Sequence, residues 1–578
     1  MKNLSGFICI FLLFGLIVLN CAAQKPVEYR SPIKDISGPR NQKIDKTLYH
    51  QIYYVSQVGG NDKTGDGTEE KPWQTVHHAL SSIKDASENS RIAVFVSMGE
   101  YGEATIRMKD YVDLFGGFDD VSWQHDIFKY RTILGGNNKR RVLIGCNNAT
   151  LDGFVITNGI IRGKGAGILC DHVSPHISNN VFANNKTLTP IPWNPEYWHE
   201  VANDGGAIQC QNNASPVIDH NLFINNYTEN GRGAAISFYK KCGGSITHNV
   251  FMNNTSGLND PARSSDAGAV SVFDWCNPVI KNNVFIHNKS LANNDGGAMF
   301  VALWSSPIID RNIFVDNECG DDAGALFVGG QEHRYDSALD PLPSEKEFFV
   351  SITNNVFVGN KNPSKNSGAM RFTMESRGEF VNNIVAHNTG IYFQRSEVNV
   401  INNTILDDFL FIETKESLKP GLIQNTILLA NVDIQTDVPV RYCNINLNME
   451  GDGNFSKDPK FENNWIDLLA ASSNFSRSRN ITDLYVPSVN LGKNVLANRI
   501  FKAGDRWGVI HSNEGSNIRV LGNYSGDVSF QILPTYHLQH DSQCIDKGID
   551  EYIPDHDFEG DPRSYGTAVD IGADEYIR

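Results

Sequence analysis

The 578-residue chain is short of positive charge: 50 Lys and Arg stand against 66 Asp and Glu, a formal net charge of −16. That balance argues against nucleic acid as a partner, and a polyanionic substrate would need a local basic patch to overcome the overall field. Past the N-terminal leader, no apolar run is long enough to span a membrane. P-loop, nucleophile-elbow and His/Cys metal-cluster patterns are missing too, so none of the chemistries those motifs carry is indicated.

What the chain has is self-similarity. Asn-aliphatic-Phe occurs at Asn180-Val181-Phe182, Asn221-Leu222-Phe223, Asn249-Val250-Phe251, Asn283-Val284-Phe285, Asn312-Ile313-Phe314 and Asn355-Val356-Phe357, with degenerate copies at Asn383, Asn403 and Asn425. Copies recur roughly every 20 to 43 residues, the mark of a solenoid. Each full repeat has a second half, an acidic or polar residue before Gly/Ala-Gly-Ala: Asp204, Asp266, Asp295, Asp322 and Asn366 hold that column, with Lys164 and Arg232 in looser copies. Short strands between turns, with one apolar row per coil, describe an all-β parallel β-helix. In that fold the Asn column is scaffold, bonding side chain to side chain along the axis and tolerating left-handed backbone at a tight turn, while the Phe column fills the core.

Residues 1–23 read as an export signal: Lys2, an apolar run over 7–19, then small residues around Cys21-Ala22-Ala23. Two routes stay open, lipidation at Cys21 and cleavage after Ala23. Either places the protein in the periplasm or at the cell surface, touching a membrane only through a lipid anchor. Residues 24–51 are polar and read as a linker. Residues 52–140 form an N-terminal cap and first coils, with helical spacing over 73–83 covering the solenoid's open end. The β-helix repeats occupy 141–463, a side lobe 464–530, and the last coil with its C-terminal cap 531–578, where 569–576 reads as a closing strand. A monomer is expected. Cys170 and Cys210, each two residues after an aligned isoleucine, read as buried thiols. Cys242 and Cys276 share a later column, and stacked coils ~4.8 Å apart put them within reach of a disulfide.

Function in a β-helix concentrates where insertions break the repeat. One insertion carries Trp193, Tyr197, Trp198, His199 and Glu200; another carries Glu332, His333, Arg334, Tyr335 and Asp336. They flank the face that bears the Asp column. Asp266, Asp295 and Asp322 come from consecutive coils, so neighbours fall ~5 Å apart and the outer two ~10 Å. That range covers the carboxyl separations of retaining and inverting glycosidases, and such crowding pushes one pKa up. An Asp before Gly is equally a turn residue capping backbone N–H groups, and the column is also a candidate for Ca²⁺. Trp275 and Trp304 share one column with Lys241, as sugar platforms or as a cover over a turn. With Trp198, His333 and Arg334 they make the candidate substrate-binding set. A lyase alternative uses Arg371 or Lys241 to abstract the proton α to a uronate carboxylate, with Arg232 and Lys240 nearby. Asp555, Asp557 and Asp561 form a second candidate Ca²⁺ site; no other cofactor is expected.

Tyr53-Tyr54-Val55, Gly65-Asp66-Gly67-Thr68, Pro72-Trp73 and Leu114-Phe115-Gly116-Gly117-Phe118 resemble the start of bacterial right-handed parallel β-helix proteins of the pectate-lyase-like superfamily. Asp458-Pro459-Lys460-Phe461, Cys544-Ile545-Asp546-Lys547-Gly548 and residues 557–563 and 569–575 resemble the end of the same group, which includes many exported Bacteroidetes proteins. The resemblance implies a right-handed parallel β-helix over nearly the whole mature chain and a link to polysaccharide lyases and glycoside hydrolases. The chain lacks the paired-Asp, Gly-His-Gly and Arg-Ile-Lys set of polygalacturonases. It does not match the Lys/Arg and acidic calcium set of chondroitinase-B-like lyases either, so no catalytic residue carries over. The leading expectation is glycoside hydrolysis of a complex polysaccharide with Asp295 as central carboxylate and Asp266 or Asp322 as partner. A polysaccharide lyase and a non-catalytic glycan-binding or adhesive protein stand as alternatives.

Overall fold

The computed structural model describes residue 33 and residues 35–577 except 191–202, 259–264, 331–347, 365–366, 408, 415–417, 436–437, 446–450, 463–464 and 564. A single coil shows how the repeat folds. Ile208–Gln211, Val217–Asp219, Leu222–Ile224 and Tyr227–Thr228 each end in a sharp corner, and the next coil begins with Ile236–Tyr239 lying parallel and in register on Ile208–Gln211. Repetition builds a 14-stranded sheet I, a 13-stranded sheet II, a 12-stranded sheet III and a six-stranded ribbon, all parallel. This is a right-handed parallel β-helix, the hand that parallel crossovers take.

The repeat motif explains the corners. Asn221 Nδ2 reaches the carbonyls of Ile177 and Asp219 (both 2.9 Å) and Asn249 Oδ1 (3.0 Å), while its own Oδ1 accepts from Asn180 N at 2.9 Å. The same pattern runs from Asn180 to Asn403. The left-handed residue is the one before each ladder asparagine, such as His220 (φ 53°), His248 (φ 55°) and Asn282 (φ 58°), not the asparagine itself. The last copy shifts accordingly: Asn425 takes the left-handed position (φ 50°) and Thr426 fills the column, its Oγ1 accepting from Asn403 N. A second ladder stands five residues on, through Asn185, Asn226, Asn254, Asn288, Asn317, Asn360 and Asn388, at the corner between sheet II and the ribbon. Between the ladders the phenylalanines stack inside, Phe182 through Phe357 having centroids 4.7–4.9 Å apart and rings within 9° of parallel. Truncating one such buried ring costs about 3–5 kcal/mol.

The solenoid starts with Gln51–Val55, the first strand of sheet I, and its open end is covered by the helix Val76–Ser82, within the span its apolar spacing indicated. Thr75 caps that helix by accepting from His78 N at 3.1 Å, and Val76, Ala79 and Leu80 face the core. Residues 33 and 35–41 are not a loose linker. They run as a strap over the corner between sheets I and II, through Gly38 N to His248 O (2.8 Å), Ser37 Oγ to Asn282 O (2.8 Å) and Arg40 N to Asn179 Oδ1 (3.2 Å). The C-terminal segment covers the same corner farther along: Asn382, Asn402 and Asn425 donate to the carbonyls of His556, Asp570 and Ile549. Residues 569–576 therefore close the molecule as an irregular strap rather than as a strand.

Ile466–Leu469 to Ser529–Ile532 form a seven-stranded antiparallel sheet, the side lobe, with a core of its own that includes Leu468, Phe501, Ile510, Val520 and Phe530. Its Ile481, Ile500, Trp507, Val509 and Leu521 pack on the outward residues of sheet II, among them Val250, Val284, Ile313 and Val356. The eight cysteines of the described residues are free, and Cys170 pairs with Cys210 in register as a buried thiol. No disulfide joins Cys242 to Cys276: Cys276 Sγ accepts from Cys242 N at 3.2 Å, and Ser305 Oγ from Cys276 N at 3.1 Å. The column is a hydrogen-bond ladder, which a disulfide would break. Among the described residues, no helix is long and apolar enough to cross a membrane.

Candidate functional site

The Gly/Ala-Gly-Ala turns hold the aspartates at the N-terminal ends of the sheet III strands. Each carboxylate caps the next coil: Asp204 Oδ1 accepts from Arg232 N (2.9 Å), Asp266 Oδ1 from Asp295 N (3.1 Å) and Asp295 Oδ1 from Asp322 N (3.2 Å). At the first step Asp204 and Arg232 are buried and ion-paired at 2.8 Å, with the guanidinium 3.8 Å from the centroid of Phe273. Asp266 is also buried, and burial pushes its carboxyl up to about 6 against the opposing pull of the Asp295 amide and Arg232. Asp295 is half-buried and has one oxygen within 4.8 Å of an oxygen of Asp321 and of Asp322.

Arg371 lies on the outward row of sheet III, opposite in direction to the buried Met370. Its Nη1 contacts Asp322 Oδ1 and its Nη2 contacts Gln394 Oε1, both at 2.5 Å. So the base of the lyase alternative and one carboxylate of the hydrolase set are partners of each other. A guanidinium held by a carboxylate stays charged and does not abstract protons. Arg371 shares its row with Phe327, Tyr392 and Phe411. Tyr392, Phe409 and Phe411 are half-buried and stack on one another, with Tyr392 5.1 Å from Phe411 and 5.6 Å from Phe409. These aromatics lie in coils without the full Gly-Ala marker, which is why column alignment passed over them.

The tryptophans do not form the expected platform. Trp275 and Trp304 stack with centroids 5.6 Å apart, but Trp304 is only 3% exposed and belongs to the core. They occupy left-handed corners (φ 61° and 54°) at the far ends of the strands, and Lys241 holds the same corner (φ 58°) one coil earlier. The strand Val270–Phe273 separates Asp266 from Trp275 by ~13 Å at ~3.3 Å per residue. Lys241 is likewise remote from the aspartates. Trp198, His333 and Arg334 lie outside the described residues, as does Cys21.

The calcium reading at the C-terminus fails on geometry. Asp557 is fully buried, its Oδ1 accepting from the amides of Glu559, Gly560 and Asp561 and its Oδ2 from that of Glu575. Asp555 and Asp561 gather no ligand group around it among the described residues. Sequence reading also passed over an open cleft of about 900 Å³ between the early coils of sheet II and the side lobe, lined by Glu100, Glu103, Arg131, Asn137 and Arg477. The lobe's docking depends on contacts far apart in sequence, which no local pattern encodes.

The stacked parallel sheets and their covered ends define a parallel β-helix protein. A family model described as a protein of unknown function (DUF1565) matches residues 58–304, under half of the chain. No curated protein matches it. Among solved structures, a pectate lyase Pel9A is similar at 12% identity, covering 92% of this chain and 97% of that one with a TM-score of 0.32. XylC in complex with xylose is similar at 8% identity over 91% and 98%, with a TM-score of 0.31. A GH136 lacto-N-biosidase from Eubacterium ramulus is similar at 11% over 61% and 69%, with a TM-score of 0.23. The roles of individual residues rest on the geometry of this site.

Proposed function

We propose that the protein is an exported carbohydrate-active enzyme that cleaves a polysaccharide by glycoside hydrolysis along the outer face of sheet III. The observation that carries this reading is the buried Asp266 carboxyl stacked one coil from the half-buried Asp295, whose amide donates to it at 3.1 Å; burial raises the Asp266 carboxyl to about 6. Asp266 is the proton donor and Asp295 the carboxylate that faces the sugar. Asp322 is ion-paired with Arg371. Carboxylates on adjacent coils, ~5 Å apart, match the retaining geometry. From Asp295 to Phe411 the groove spans four coil spacings, ~19 Å, with Arg371, Gln394, Tyr392, Phe409 and Phe411 as its floor. Half-exposed aromatic faces suit the apolar faces of pyranose rings.

The test is a panel of polysaccharides assayed for new reducing ends and for near-ultraviolet absorbance of unsaturated products. Asp295→Asn and Asp266→Asn should each lower turnover by about 10²–10⁴-fold with unchanged secondary structure. Wild-type turnover in Asp295→Asn would sink the hydrolase reading. Unsaturated products would replace it with elimination. Saturable binding without cleavage would leave a glycan-binding protein.

A further inference from the structure

We infer that the C-terminal closing segment carries a divalent-cation site of the imidazole–carboxylate class, built by His537, Glu559 and Asp574. Three separate stretches of chain converge there. His537 Nε2 lies 3.0 Å from Glu559 Oε1 and 3.9 Å from Asp574 Oδ1, and one ligand atom of each residue falls within 4.8 Å of the others. Around an ion with bonds of about 2.0–2.2 Å, ligand atoms sit roughly 3 to 4.3 Å apart, so the triad needs little movement to close on a metal. The three residues line a pocket of about 220 Å³ whose wall also includes Glu462, Asp561 and Glu575.

The second observation is Asp574 itself. It is 9% exposed, it lines the pocket, and no hydrogen-bond donor among the described residues reaches its carboxylate; the His537 ring, its ion-pair partner, stands at 3.9 Å, beyond hydrogen-bond distance. A buried carboxylate is normally satisfied by donors, as Glu575 next to it is by the amides of Tyr565 and Asp570. The Asp574 carboxylate stays open to the pocket.

The surroundings hold the triad in place. Asp557 ties the turn that bears Glu559 to the strand-like stretch that bears Asp574, through the three amides on its Oδ1 and the Glu575 amide on its Oδ2. Phe558 N donates to Ala573 O at 3.0 Å, and His537 O accepts from Glu462 N at 2.8 Å. Thus the loop that resembled a calcium site by spacing supplies one ligand, Glu559, while its central aspartate acts as the brace. An imidazole among carboxylates favours zinc or manganese over calcium, which takes oxygen ligands alone.

The probe is ZnCl₂ titrated calorimetrically into the full chain after stripping with EDTA. One saturable site per chain is expected, with a rise in Tm that grows with zinc concentration. Asp574→Asn and His537→Gln should each weaken binding about tenfold or more while far-ultraviolet circular dichroism stays unchanged. His537 is the more exposed of the three, so His537→Gln keeps the test open if Asp574→Asn fails to fold. No saturable heat with zinc, equal affinity in His537→Gln, or tighter binding of CaCl₂ than of ZnCl₂ would overturn the proposal.

Discussion

At the scale of single residues, Asp266 combines two roles that oppose each other. Its Oδ1 is a structural acceptor for Asp295 N, yet burial makes its ionised form costly and lifts its carboxyl to about 6. An aspartate raised from an ordinary 3.8 to about 6 binds its proton more tightly folded than unfolded. Stability is therefore highest below the unfolded value and falls as pH rises from 3.8 to 6, by at most about 3 kcal/mol. Asp266→Asn keeps an acceptor for the amide and carries no charge. Chemical denaturation should find the variant more stable than wild type at pH 7.5, by about 1–3 kcal/mol, with the difference vanishing near pH 4. A variant less stable than wild type at both pH values would show that burial does not strain this carboxyl. A stabilised but inactive variant is the signature of a site residue held at a cost to the fold.

At the scale of the element, each ladder asparagine joins three coils. Asn283 Nδ2 reaches Ile246 O, Lys281 O and Asn312 Oδ1, and its Oδ1 accepts from Asn249 N. Asn283→Ala strands several buried polar groups at about 1–3 kcal/mol each, so a loss of about 3 kcal/mol or more is expected in urea unfolding. A loss under about 1 kcal/mol would mean that the ladder is decorative. This one-dimensional logic is why the fold was legible in the sequence: identical residues at one corner must face each other in successive coils, so repetition along the chain is repetition in space. The second ladder, from Asn185 to Asn388, was equally visible, five residues after the first. Exposure was not legible. The corner that holds Trp275 and Trp304 is left-handed at two successive residues (Asp274 φ 68° and Trp275 φ 61°; Leu303 φ 47° and Trp304 φ 54°), yet in the same corner Trp304 is buried, Trp275 half-buried and Lys241 exposed. Tyr392, Phe409 and Phe411 sit where the Gly-Ala marker has decayed, so the sequence there carries no register signal.

At the scale of the whole molecule, the solenoid is a rod whose outer face is apolar along sheet II, and the side lobe covers that face. Contacts hundreds of residues apart set the docking. His287 Nε2 lies 2.9 Å from the carbonyl of Trp507, the Trp507 ring stacks on His387 at 5.1 Å, and Tyr536 Oη meets His387 Nε2 at 3.2 Å. Gly359 makes this possible. It takes a left-handed corner (φ 69°) directly under the indole, where an added Cβ would lie 2.3 Å from Trp507 Cδ1. Gly359→Ala therefore strains the corner and drives the indole off its seat, at about 1–3 kcal/mol for the overpacking. The lobe keeps its own core, so the expected result is undocking rather than unfolding. Hydrogen exchange should speed up on the outward side of sheet II and in the strap at 35–41, which Asn498 of the lobe holds through the carbonyl of Asp35 and, ahead of it, that of Ile33. The asparagine ladders and the Asp266–Asp295 turn should keep their protection, because the ladder and Asp266 side chains are buried and hydrogen-bonded within the solenoid itself. Uniform loss of protection would mean that lobe and solenoid form one cooperative unit; no change at all would mean that the corner yields without moving Trp507. Retained glycan cleavage in the undocked variant would place the reaction on sheet III, and its loss would point to the cleft beneath the lobe.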